Sequence, residues 1–305
     1  MAGKASGMAD LSSVTSAIQR APAIRRAAHS VSVTAGRLTY RARMLPGLLI
    51  VGAQRCGTTS MYRALSQHPA VIKVVLHKGV HYFDVAYRRG PDWYRGHFPL
   101  RRTAQRASRR LGGVPVQTFE SSPYYMYHPL AAGRIAADLP GVKLLVLVRD
   151  PVERAYSHHA HEVARGYESE VDFARALALE PARLRGETER LAGDPDARSF
   201  AHQHHAYRAR GEYIRYLNRL AGAVGRDRVL VVDSAEFFAR PEPVYDAVLD
   251  FLALPRLGYP TFERHNARPR ANPMDPGLRR DLATHYAPFD DALAAWLDRK
   301  PAWRR

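Results

Sequence analysis

The sequence predicts an α/β protein in which a parallel β-sheet is flanked by helices. Three observations lead there. Apolar, strand-length runs alternate with helix-like segments along most of the chain. Val142–Arg149 is rich in Val and Leu, as a central parallel strand covered on both faces is. Leu48–Gly52 leads through a Gly-containing turn directly into an amphipathic stretch. With 305 residues and 46% hydrophobic composition, the chain is long enough to bury a full core.

Taken in order, residues 1–45 are rich in Ala, Ser, Thr and Arg, and Pro22 interrupts their one short helical pattern. They read as a basic, mobile or surface-lying arm, and residues 46–305 as a single domain. Leu48–Gly52 is expected as a buried strand and Thr58–Ser66 as its helix. Val116–Glu120 and Pro129–Asp138 form the next strand–helix pair. Val142–Arg149 is the central strand, and Pro151 opens a helix at a position where its missing N–H costs nothing. Glu168–Arg210 is charged and helix-prone, too polar for core, and reads as an insertion bordering a site. Val229–Asp233 is a further strand, followed by the helix Pro243–Leu252. Two amphipathic helices, Leu278–Tyr286 and Phe289–Leu297, close the chain.

The bulk numbers narrow the function. The single cysteine, Cys56, excludes an intramolecular disulfide and fits a reducing compartment. No run approaches the roughly 20 apolar residues of a membrane span, and the N-terminus lacks the apolar core of a secretory signal. A cytoplasmic protein is the expectation. The formal charge of +17 is almost all arginine. It reflects either codon composition or attraction of anions, among them a lipid head group reached by the basic arm. Zinc-ligand spacing, a helix-turn-helix pattern and strand-borne stacking aromatics are all missing, which argues against a nucleic-acid partner.

The segment "LLIVGAQRCGTTSMYRALSQH" (48–68) fits the phosphate-cradle template G-x-x-x-x-G-K-[ST] at Gly52, Gly57 and Thr59, but has Thr58 where the lysine belongs. A strand ending in such a turn gathers backbone N–H groups and a helix N-terminus around one point, which suits an anion. Arg55 adds a positive charge and Thr58 and Thr59 add hydroxyls. In "VKLLVLVRDPVERAYSHHAHE" (142–162), Arg149 falls at a carboxyl strand end and Ser157 two turns into the following helix. An Arg and a Ser there suit a second phosphate.

Together these two stretches resemble the 5′-phosphosulfate loop and the 3′-phosphate motif of sulfotransferases that use 3′-phosphoadenosine-5′-phosphosulfate, with the heparan-sulfate branch and its bacterial relatives nearest. "HKGVHYFD" (77–84), "GPDWYRGHFP" (90–99), "ESSPYY" (120–125), "GEYIRYLNRL" with "VLVVDSAEFFARP", and "RPRANP" (268–273) are similar to further family segments in the family's order. The resemblance spans about residues 47–300. It implies a three-layer sandwich of the P-loop NTPase type and transfer of a sulfuryl group to a hydroxyl of a carbohydrate, glycolipid or glycosylated small molecule.

By the same resemblance, Arg55, Cys56, Gly57, Thr58, Thr59 and Ser60 form the 5′-phosphosulfate cradle, with Cys56 as small filler. Arg149 and Ser157 hold the 3′-phosphate, and Arg268 and Arg270 close over the nucleotide. The missing kinase lysine fits a donor without a γ-phosphate. Arg55 stands where the family usually has a lysine beside the leaving oxygen. Gly79 replaces the glutamate that serves the heparan branch as general base. His81 is the leading substitute, with Asp84 and Glu120 as runners-up, and Lys78 is placed to stabilise the transferring group. Ser121 replaces a family lysine, which suits a less anionic acceptor. The acceptor cleft is expected from segments 84–112 and 165–210. The histidines 158, 159, 161, 202, 204 and 205 read as solvated or supporting groups, and no metal is expected. Two other readings remain: a nucleotide kinase or NTPase, and a non-catalytic anion- or glycan-binding relative.

Overall fold

The computed structural model describes residues 34–74, 77–263, 265 and 273–305. Five parallel strands form one sheet in the order β2-β3-β1-β4-β5. They are β1 (Leu48–Gly52), β2 (Val71–Lys73), β3 (Gln117–Ser121), β4 (Lys143–Val148) and β5 (Val229–Asp233). The chain leaves β1 for β2 and β3 on one side and then crosses to β4 on the other. The carboxyl end of β1 is therefore the topological switch point, where open α/β sheets bind ligands. Leu48 through Val51 and Leu144 through Val148 are all buried, which is why these stretches read as apolar runs rather than alternating ones.

The main covering helices are α1 (Thr58–Leu65), α2 (Ala131–Asp138), α3 (Pro151–Ala164), α4 (Tyr213–Val224), α5 (Pro241–Leu252) and α6 (Pro276–Leu297). Helix α3 starts as expected. Pro151 sits in its first turn, and the Asp150 carboxylate accepts from the Val152 N–H at 2.9 Å and the Glu153 N–H at 3.5 Å.

Three features depart from the sequence reading. Strand β2 was not foreseen, being a three-residue edge strand that is only partly buried. The two expected C-terminal helices are one, running through Pro288. Leu282, Tyr286, Asp290 and Leu293 keep one buried stripe on both sides of the proline, so packing along that stripe overrides the lost hydrogen bond. Segment 165–210 is not merely a polar border. Its helix Phe173–Leu184 buries Phe173, Ala176 and Leu177 with Val152, Tyr207 and Tyr286 in a second small core.

The described part of the N-terminal segment lies on the domain surface. Met44 N–H donates to the Pro99 carbonyl at 2.9 Å, and Arg43 Nη1 to the Phe98 carbonyl at 2.7 Å.

Candidate active site

A cleft of about 440 Å³ opens at the carboxyl end of the sheet. Its floor is the loop after β1. Gly57 takes φ +84°, and a Cβ there would stand 3.1 Å from Phe238 Cζ, so glycine is needed for conformation and for space. Arg55 also has positive φ, at 70°. Its Nε donates to Ser157 Oγ at 3.1 Å, and its Nη1 lies 3.4 Å from His161 Nδ1. The two motifs found in sequence thus touch, through Arg55 and Ser157.

The opposite wall comes from the segment before Tyr82, which runs along the end of β3: Ser121 N–H donates to the Lys78 carbonyl at 2.8 Å. Lys78 Nζ then reaches Thr59 Oγ1 at 2.9 Å and Thr58 Oγ1 at 3.4 Å. Burial lowers the Lys78 ammonium to about 8, so it stays charged at neutral pH. A lysine does reach the threonine hydroxyls, but from another loop and not from within the template.

His81 is the second strained residue of the cleft, at φ 55°. The other described non-glycine residues with positive φ, Ala253 and Asp298, are helix C-caps, where that conformation is common. At a loop position it costs on the order of 1–3 kcal/mol and persists only where surrounding structure enforces it. Here the enforcement is visible. His81 N–H donates to Ser122 Oγ at 3.1 Å and Tyr82 N–H to the Tyr125 hydroxyl oxygen at 2.8 Å. The His81 ring lines the cleft with 42% of its side chain exposed, while Nδ1 lies 2.8 Å from the buried Asp84 Oδ2. Burial works against a charge on His81, but Asp84 outweighs it and the pKa rises.

The remaining expected site residues fall behind this wall or away from it. Glu120 is fully buried and has four donors: Val80 N–H at 2.7 Å, Ser122 Oγ at 2.7 Å, Tyr125 Oη at 2.8 Å and Tyr94 Oη at 3.0 Å. It fastens the loop that carries Lys78 and His81 and does not line the cleft. Cys56 is 0% exposed, and burial raises its thiol pKa, which leaves it as packing beneath the loop. Ser60 is turned to another task, its Oγ accepting from the His265 N–H at 2.9 Å. Arg149 lies outside the cleft wall. Its Nη2 reaches Glu153 Oε2 at 3.5 Å, and a third of its side chain is exposed. Arg268 and Arg270 lie outside the described residues.

Gly79 is accounted for by space. A Cβ there would stand 2.5 Å from the Ser121 carbonyl oxygen and 2.8 Å from Ser122 Oγ. No side chain fits at this position without moving β3's end. Gly79→Ala is therefore expected to destabilise the fold by about 1–3 kcal/mol, read from the denaturant midpoint. A variant as stable as the parent would show that the wall yields freely.

The far wall was only half foreseen. Segment 165–210 supplies Arg165, Tyr167, Gln203, His204 and Arg210, whereas none of residues 84–112 lines the cleft. Gln54 and Glu162 complete it, and sequence reasoning missed both. Glu162 Oε2 lies 2.8 Å from His204 Nδ1, and Gln54 Nε2 donates to Oε1 at 3.3 Å. Arg210 in turn donates to Gln54 Oε1 and, at 2.8 and 2.7 Å, to the carbonyls of His202 and Gln203. Burial alone would push the Glu162 carboxyl up, but His158 and His204 beside it hold it well below the ordinary range. His158, four residues earlier and buried, is kept neutral by desolvation. The spacing of His158 and Glu162 on one helix face was the available signal. Among the described residues, no group of three or more His, Cys, Asp or Glu is arranged to hold a metal ion. None of the described helices is long and apolar enough to cross a membrane.

A family model described as "Sulfotransferase domain" matches residues 45–264. The chain belongs to the sulfotransferase family. The structure of a sulfotransferase from Alicyclobacillus acidocaldarius superposes with a TM-score of 0.64 at 28% identity, covering 86% of this chain and 100% of that one. The human heparan sulfate glucosamine 3-O-sulfotransferase 5 is 29% identical over 222 residues, covering 72% of this chain and 56% of its own length. The bifunctional heparan sulfate N-deacetylase/N-sulfotransferase 1 of Caenorhabditis elegans is 25% identical over 73% of this chain. The alignment takes in 24% of that relative, so this chain matches only part of the curated proteins. The sulfotransferase domain's expected parallel sheet and flanking helices are those observed.

Proposed function

We propose that this sulfotransferase moves a sulfuryl group from 3′-phosphoadenosine-5′-phosphosulfate to a hydroxyl of a carbohydrate, glycolipid or glycosylated small molecule. One observation carries the reading. Arg55, Lys78 and the Thr58 and Thr59 hydroxyls converge at the switch point, and a His–Asp pair faces the same cleft. Two cations and two hydroxyls gathered at a strand-to-helix turn suit an anionic donor, which supplies the sulfuryl group and a 5′-phosphate leaving group. The curated relatives' names point to a sugar acceptor.

The chain's own residues then divide the work. Arg55, oriented by Ser157, and Lys78, oriented by Thr59, offset negative charge that grows on the departing phosphate. His81 takes the acceptor's proton at the imidazole nitrogen not bonded to Asp84, and Asp84 holds the ring in place. Glu120 and Ser122 keep Lys78 and His81 in register. Gly79 takes no part in proton transfer.

Thermal unfolding tests the donor. A ligand at 100 times its Kd stabilises the folded state by about 2.7 kcal/mol, which is a shift of several degrees for a domain of this size. We expect that shift with 3′-phosphoadenosine-5′-phosphate and none with ATP–Mg²⁺. The reverse pattern would favour a kinase and defeat the proposal.

A further inference from the structure

We propose that Phe200 and Tyr167 form an aromatic shelf at the mouth of the cleft that receives a flat apolar face of the acceptor. This rests on the sulfotransferase reading above and adds where the acceptor lies and by what chemistry it is chosen. Phe200 is 56% exposed. A single exposed apolar side chain is ordinary, so the argument is one of placement. The Phe200 ring centroid lies 4.6 Å from that of His204 and 6.1 Å from that of Tyr167, and both of those residues line the cleft. Tyr167 and His204 are themselves 4.4 Å apart. The aromatic surface thus continues outward from the lining of the cleft that also holds His81 and Lys78.

The shelf is also held still. The short helix Phe200–His204 is capped by buried Ser199, whose Oγ accepts from the His202 N–H at 3.0 Å. His204 is fixed by Glu162, and His205 Nε2 lies 2.9 Å from the Tyr167 carbonyl oxygen. Arg210 holds the carbonyls of His202 and Gln203. A rigid aromatic surface loses little entropy when a ring stacks on it.

Some of the hydrogen-bonding groups nearest the shelf are engaged with one another. Glu162 is engaged by His204 and Gln54, and Arg165 Nη2 donates to the Tyr167 hydroxyl at 3.3 Å with its guanidinium 4.7 Å from that ring's centroid. Beside the Arg165 and Gln203 side chains, this part of the wall offers an incoming molecule ring surface. Two acceptor features share the matching chemistry: the C–H face of a sugar ring, and an aryl group attached to the sugar.

The test measures kcat/KM with labelled donor on paired methyl and p-nitrophenyl glycosides of neutral hexoses, N-acetylhexosamines and uronic acids. Phe200→Ala should lower kcat/KM about ten-fold, the worth of one stacked ring contact, mainly through KM. Phe200→Tyr should keep parental values, and both variants should bind 3′-phosphoadenosine-5′-phosphate as the parent does. A loss equal on methyl and p-nitrophenyl glycosides assigns the shelf to the sugar ring, and a loss confined to the latter assigns it to the aglycone. A change below two-fold on both kinds overturns the shelf. So does a parent that binds the nucleotide yet sulfates no glycoside, and in that case the donor reading survives. A parent that does not bind the nucleotide overturns both.

Discussion

Arg55→Ala is expected to lower kcat about 10²–10³-fold, the usual loss when one preorganised donor to a developing charge is removed. The guanidinium is the cation of the loop after β1, and its contact with Ser157 fixes its direction across the cleft. Arg55→Lys should recover part of the rate, because a point charge can offset the leaving group without the planar fork. Ser157→Ala leaves the charge and removes its orienting partner, so its loss should be smaller and shared between kcat and KM. Single-turnover measurement with labelled donor reads all three. An Arg55→Ala enzyme within three-fold of the parent would remove this residue from the chemistry.

How much of this was legible in the sequence depends on how local each signal is. Strands β1, β4 and β5 announced themselves because both faces of the sheet are covered, so their apolar runs have no polar interruptions to confuse them. Helix α3 was marked by Pro151 at its start. The His81–Asp84 pair sits three residues apart at a turn, and its members were named even though their mutual contact was not. Side-chain direction is a different matter. Nothing local says that Arg149 leans to Glu153 rather than into the cleft, since both choices lie within reach of one helix turn. Nor does a sequence show that Glu120 will be consumed by four donors, three of them side chains from other parts of the fold or the next turn. The far wall was the least readable. Gln54 and Arg210 are neighbours only because the sheet and the inserted helices bring them together. Gly79 is the instructive middle case. Its departure from the family pattern was plain, while the reason for it, the Ser121 carbonyl pressed against the position, is purely spatial.

His81→Ala should cost about 10²–10⁴-fold in kcat with nucleotide binding retained, the range for loss of a positioned general base. The pH profile gives a sharper test, because the two groups facing the cleft titrate in opposite senses. His81 must be neutral to accept a proton. Burial lowers its pKa, but Asp84 at 2.8 Å, with a smaller contribution from Glu120, raises it by more, and the net value lies above the ordinary 6.5. The rate should therefore rise with pH through a value above 6.5. Lys78 must be charged to offset the transferring group, and burial sets its pKa at about 8, so the rate should fall as pH passes that point. The product of the two fractions is a narrow bell. Asp84→Asn removes the charge that raises His81, which moves the acid limb to lower pH and lowers the maximum because the ring loses its orienting partner. Lys78→Arg should carry the alkaline limb beyond the measurable range, since a guanidinium does not titrate there. An acid limb that persists unchanged in both His81→Ala and Asp84→Asn would assign the proton to a different group and leave the His–Asp pair a structural contact.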